Sequence, residues 1–187
     1  ALGDTSIDPT LPGPLGDTLR QSVSHLATVT AKLHASEAAA NQQARTDALT
    51  GLANRTAALE HLTKLAMNAR HVDGHGAVVF LDLDGFKSVN DTQGHAEGDR
   101  ILGEIGERLK AACPEHVVAR IGGDEFIVLV DEVSEIDQVT ALARRLIEIV
   151  SAPCTGSSGQ LFTITASAGV AMIAGQRDPL AYIARAD

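Results

Sequence analysis

The sequence predicts a mixed α/β (α+β) domain, a βαββαβ sheet covered by helices, preceded by a long N-terminal helix. Three observations carry this prediction. Near the N-terminus, Leu19, Leu26, Leu33 and Ala40 recur every seventh residue through a polar, Ala-rich stretch. Beyond Asp47, short β-branched runs alternate with amphipathic helical ones. Gly122-Gly123-Asp124-Glu125 then separates two apolar runs with a tight-turn signal.

The elements follow in order. Residues 1–14, rich in Pro, Gly and small polar residues, read as a flexible lead-in. Residues 15–46 read as a linker helix, with Val23, Thr30, Glu37 and Ala44 as a companion series to the leucines. That seam is either a parallel coiled coil joining two protomers or the face of a single solvated helix. Residues 47–187 form the main domain. Thr56 to Arg70 is helix-like, with Leu59, Leu62, Leu65 and Ala66 on one face, and Ala77 to Leu83 is a buried strand. Ala96 to Ala112 is a long amphipathic helix facing inward through Ile101, Leu102, Ile105 and Leu109. Val117 to Arg120 and Phe126 to Val130 are hairpin strands, Ser134 to Val150 is a helix, and Phe162 to Ile173 is a strand. This order suits a ferredoxin-like arrangement.

Composition excludes some classes. The 187 residues are 44% hydrophobic, enough for one domain and an appendage but not for two full domains. A formal net charge of −9 argues against a nucleic-acid-coating protein, which needs a basic face. Cys113 and Cys154, without CxxC spacing, read as two reduced thiols of a cytoplasmic protein. No apolar run reaches the ~18 residues of a membrane span, and the chain reads as a piece of something longer whose parent could still be membrane-bound.

Two acidic clusters lie where strands end: Asp82-Leu83-Asp84 and Asp124-Glu125. A carboxylate closing an apolar strand is costly to desolvate unless it meets a cation or donors. Together the clusters are either an oxygen-rich Mg²⁺ site or two unrelated acidic turns. Lys87 follows the first cluster at a distance suited to a polyphosphate. Asn90 and Asp99 carry the hydrogen-bonding groups to read a guanine edge, and equally suit an N-capping Asn and a helix-start Asp.

The whole pattern resembles the GGDEF family of diguanylate cyclases. RIGGDEF at Arg120–Phe126 matches the motif that names the family, and DALTGLANR at Asp47–Arg55 resembles its entry segment. Asp82–Asp91 with Gly94-His95 and Gly98-Asp99 resembles the DxDxFKxxNDxxGHxxGD segment, and Ser167–Ala171 the late strand SxGVA. Four segments in register cover about three quarters of the chain.

The resemblance implies a nucleotide-cyclase-like fold and the condensation of two GTP into cyclic di-GMP with release of two pyrophosphates. Each domain of a homodimer would hold one GTP, with Mg²⁺ (or Mn²⁺) as cofactor and an upstream sensor domain as partner. By position, Asp82, Asp124 and the Leu83 carbonyl correspond to metal ligands. Glu125 corresponds to a further ligand or general base, Asn90 and Asp99 to guanine readers, and Lys87 to a phosphate contact. Gly122 and Gly123 correspond to backbone passing close to the triphosphate. The family's RxxD product-inhibition pair falls on Cys113 and His116, so the primary feedback site is expected to be absent. The family continues beyond Arg185–Asp187 into a helix that contributes Lys and Arg to the phosphates, so this piece is expected to bind or turn over GTP less well than its parent. Two alternatives remain at this point: a GTP-binding regulatory module without turnover, linked to a cyclic di-GMP phosphodiesterase domain, and a dimerisation piece without a ligand.

Overall fold

The structure is a computed structural model describing residues 13–69, 75–133, 135–173 and 178–186. Most of the expected lead-in (1–12) lies outside the described residues, as do Arg70, Ser134 and Asp187. The chain divides into two compact units, Ala1–Ala44 and Arg45–Asp187. The described part of the first is helical from Pro14, with α1 spanning Pro14–Arg45. Its Leu19, Val23, Leu26 and Leu33 are exposed along the heptad face.

The second unit contains α2 (Arg55–Asn68), β1 (His75–Asp84), α3 (Phe86–Gln93), α4 (His95–Ala112), β2 (Val117–Arg120), β3 (Glu125–Val133) and α5 (Ile136–Val150). It continues with β4 (Cys154–Thr155), β5 (Leu161–Phe162), β6 (Thr165–Ile173) and α6 (Pro179–Ala186). The main sheet runs β2-β3-β1-β6, antiparallel throughout, which is the strand order of the expected βαββαβ fold. Alternation along β1 sends Ala77, Val79, Leu81 and Leu83 to one face, under Ile105 and Leu109 of α4 and Leu146 of α5. Val78 and Phe80 point to the other face, where Leu62 of α2 and Tyr182 of α6 cover them. Burying each such large side chain contributes about 1.5–3 kcal/mol.

Three differences from the sequence expectation bear on the site. Phe86–Gln93 is a separate helix, split from α4 at Gly94, whose φ of +86° a residue with a Cβ adopts only with strain. The run expected as one strand from Phe162 breaks at Thr163–Ile164, and its first part instead forms the two-stranded β4–β5 hairpin. An eight-residue helix, α6, also closes the described chain and packs its backbone against Gly169, where any Cβ would collide with the Ala186 carbonyl. Among the described residues, no helix is long and apolar enough to cross a membrane.

Candidate active site

The site forms where the sheet outruns its helical cover. On β1 the face that buries Val78 and Phe80 continues into Asp82 and Asp84, both exposed. The register places Asp82 directly opposite Glu125 of β3 on one side and Ser167 of β6 on the other. Directly opposed like charges destabilise an antiparallel pair, and a cation beside their oxygens would relieve that repulsion. Asp84 is engaged differently: its two carboxylate oxygens accept from the hydroxyls of Thr165 and Ser167, each at 2.8 Å.

The turn between β2 and β3 is tied to this row. The Leu83 N–H donates to the Asp124 carbonyl at 3.2 Å, and the Ile121 N–H to the Glu125 carbonyl at 3.0 Å. Asp82, Leu83, Asp124 and Glu125 therefore meet at one end of the sheet. Gly122 packs against the Glu125 carboxylate so closely that a Cβ there would overlap it, whereas a Cβ on Gly123 would meet open space. A side chain at Gly122 would therefore push the Glu125 carboxylate out of its place, whereas the protein itself makes no steric demand at Gly123. Among the described residues no three acidic, His or Cys side chains form a ready-made cage. Mg²⁺ keeps several waters and takes one or two carboxylates plus phosphate oxygens. The opposed Asp82–Glu125 pair is the feature that fits such an ion.

Lys87 stands in the first turn of α3, exposed and in no ion pair among the described residues. Asn90 lies one turn further along, against α4. Its Oδ1 is buried without a hydrogen-bond partner, and a Cβ on Gly98 would fall on that atom. Gly98 thus brings α4 against Asn90 and sets the exposed Asp99 beside it in the chain. A buried amide oxygen without a partner leaves the Asn90 amide a group whose hydrogen bonding the protein itself does not complete. Asn90 caps neither helix: Gly85 and Gly94 hold both N-cap positions, with no side-chain capping bond at either.

Sequence reasoning had singled out neither Arg120 nor Asp47 as a functional side chain. Arg120 closes β2 and donates to the Gly123 carbonyl at 2.8 and 3.2 Å, while reaching Asp47 at 3.3 and 3.4 Å. Asp47 also accepts from the Thr50 N–H at 2.9 Å and hydroxyl at 2.7 Å. Burial pushes the Asp47 carboxyl up, but the Thr50 bonds and the Arg120 charge outweigh it and hold the carboxyl below its usual range. The available signal was a lone arginine ending an apolar strand immediately before the turn.

Cys113 and His116 sit at the other end of β2, beside a cavity of about 450 Å³ that Lys110 and Gly51–Ala53 also line. Cys113 is buried, which pushes its thiol up against the opposing influence of Arg145.

The comparisons with known proteins point one way. A family model described as diguanylate cyclase, GGDEF domain, matches residues 44–187. The cyclic di-GMP phosphodiesterase NbdA of Pseudomonas aeruginosa is 41% identical over 143 residues, 75% of this chain and 18% of that protein. The diguanylate cyclase DgcN of Escherichia coli is 39% identical over 142 residues, 75% of this chain and 35% of that protein. This chain thus spans about a fifth to a third of the length of these relatives. The crystal structure of the coiled coil and GGDEF domain of DgcB from Caulobacter crescentus, in complex with c-di-GMP, matches with a TM-score of 0.82. It is 25% identical, and the match covers 91% of each chain. The chain belongs to the GGDEF-domain family of diguanylate cyclases.

Proposed function

We propose that this chain is the catalytic half-site of a diguanylate cyclase, joining two GTP into cyclic di-GMP when two copies face each other. The observation that carries the reading is the opposed Asp82–Glu125 pair at an open sheet end, beside the Asn90–Gly98–Asp99 joint. The carboxylates of Asp82, Asp124 and Glu125, with the Leu83 carbonyl, would hold Mg²⁺ or Mn²⁺, which when bound neutralises charge on the phosphate oxygens. Asn90 and Asp99 grip the guanine edge, and Lys87 meets a phosphate. In each half-reaction the 3′-hydroxyl oxygen of one GTP bonds to the α-phosphorus of the other, and the bond to the bridging oxygen breaks. Pyrophosphate leaves with that electron pair, and Glu125 takes the hydroxyl proton. Little covalent help is needed from the protein, so positioning dominates the chemistry. The exposed leucines of α1 are the natural seam for pairing two copies, on the cytoplasmic side if the parent is membrane-bound.

A second reading draws on NbdA, a phosphodiesterase by description: the domain binds GTP as a regulatory module without turnover. Calorimetric titration of the purified chain with GTP, with and without Mg²⁺, tests what both readings share. Metal-dependent binding that Glu125→Gln and Asp82→Asn weaken is expected. GTP binding indifferent to metal and to both substitutions would overturn the site assignment.

A further inference from the structure

The helix that presents Asp99 has no capping side chain of its own. It begins at Gly94, whose backbone carbonyl receives the Glu97 and Gly98 N–H groups at 3.2 Å each. Four orphan N–H groups at a helix start are ordinarily steadied by a cap. Here another contact steadies the first turn. Glu97, one of two buried polar or charged side chains among the described residues, turns away from the open joint towards the β4–β5 hairpin. Both its carboxylate oxygens accept from the Ser157 backbone N–H, at 3.2 and 3.3 Å. Arg100 braces the same carboxylate at 2.9 Å and is itself held by Glu104 at 3.1 Å.

The hairpin is anchored independently at two more points. Arg108 of α4 donates to the Ala152 and Pro153 carbonyls at its base. Gln160 at its far side donates to Gln93 Oε1, in the last residue of α3, at 3.0 Å. Its own turn is closed by Gly156 N–H on the Gln160 carbonyl at 2.6 Å and Gly159 N–H on the Gly156 carbonyl at 2.9 Å. The hairpin therefore straddles α3 and α4, the two helices whose joint carries Asn90 and Asp99. Its strands β4 and β5 pair only with each other, while Cys154 and Phe162 tuck into the core beneath.

We propose that the β4–β5 hairpin sets base selection, with Glu97 a positioning residue that aims the first turn of α4, and so Asp99, at the guanine edge. This rests on the assignment of Asn90 and Asp99 as guanine readers. The relevant ligand chemistry is a purine nucleotide with two adjacent N–H donors, N1–H and a 2-amino group. Inosine triphosphate lacks the second donor and isolates its contribution. With Glu97 lost, Asp99 drifts, and guanine loses two aligned bonds where hypoxanthine loses one.

The test is calorimetric binding of GTP and of inosine triphosphate, each with Mg²⁺, to the unaltered chain and to Glu97→Ala, Glu97→Gln and Ser157→Pro. The last removes the donor from an exposed turn and leaves the helix untouched. Glu97→Ala and Ser157→Pro should each weaken GTP by about tenfold, the loss of one charge-assisted bond's worth of alignment. Inosine triphosphate should weaken by less than about threefold, so the preference for guanine narrows. Glu97→Gln, which still accepts from Ser157, should stay within about threefold of the unaltered chain for both. Melting curves confirm folding. A folded Glu97→Ala that keeps the preference for guanine, or weakens both nucleotides equally, overturns the proposal and leaves the site assignment standing. Failure of the unaltered chain to bind GTP at all would overturn the assignment and this proposal with it.

Discussion

Replacing Arg120 with alanine removes a side chain that joins the domain's entry segment to the turn bearing Asp124 and Glu125. The magnitude follows from its contacts. Two bonds to the Gly123 carbonyl, at 2.8 and 3.2 Å, are well formed, whereas those to Asp47, at 3.3 and 3.4 Å, are long. Asp47 would keep its Thr50 partners, so its charge is not left bare. The Arg120 side chain is only 15% exposed, so water replaces little of what is lost. Bonds involving a charged group contribute roughly 1.5–3 kcal/mol, and with half of these weak the expected cost is about 2 kcal/mol. For a domain of this size that lowers Tm by about 4–8 °C. Product formation should fall further, by about tenfold or more in kcat with KM for GTP little changed, because a turn displaced by about 1 Å misaligns the reacting groups. Arg120→Lys keeps the charge but not the two-pronged geometry and should fall between. Thermal melting with initial-rate kinetics reads both effects. An Arg120→Ala variant with Tm within about 1 °C of the unaltered chain and normal kcat would refute the reasoning.

Further outcomes follow from the same contacts. The Asp47 carboxyl is held low in the folded chain, so its contribution is complete above the unfolded value of about 3.9 and is lost as pH falls through the lower folded value. Asp47→Asn should therefore cost stability at pH 7, with the gap to the unaltered chain closing below about pH 4. A gap constant with pH in denaturant titrations would contradict this. Glu125→Gln relieves the opposition to Asp82 and should stabilise the metal-free chain by up to about 1 kcal/mol while abolishing the rise in Tm that Mg²⁺ plus GTP gives the unaltered chain. Leu26→Asp on the exposed seam of α1 should weaken self-association by at least about tenfold, since a charge at a seam position has no partner to desolvate against. Sedimentation equilibrium measures it. Cyclic di-GMP should leave the initial rate unchanged at concentrations that saturate an Arg–Asp inhibition pair, because Cys113 is buried and His116 carries no carboxylate.

What was legible in the sequence, and what was not, divides along physical lines. The β1 strand was plain because AVVFLDL is apolar on both faces, and α4 and α5 because their apolar positions repeat at helical spacing. Helix α3 was not separable: its eight residues include Asn90, Asp91 and Thr92, all weak helix formers, and its end depends on the backbone of Gly94. The β4–β5 hairpin escaped because two-residue strands are too short to show alternation. The family motifs located Asp82 and Glu125, but not that they are paired face to face. That pairing depends on the β1–β3 register, which joins residues about forty positions apart and shifts between His75 and Ala77. Glu97 was invisible for a related reason. Its partner is a backbone N–H sixty residues away, and nothing in the local sequence announces it.

The central claim, that the opposed acids and the α3–α4 joint make half of a two-copy GTP-condensing site, is tested most directly by following cyclic di-GMP formation from GTP across a range of protein concentrations. The account predicts product only with Mg²⁺ or Mn²⁺ present, a rate per protomer that climbs with concentration as half-sites pair, and none from Glu125→Gln. Bound GTP with no cyclic di-GMP at any concentration, or a rate per protomer independent of concentration, would contradict it.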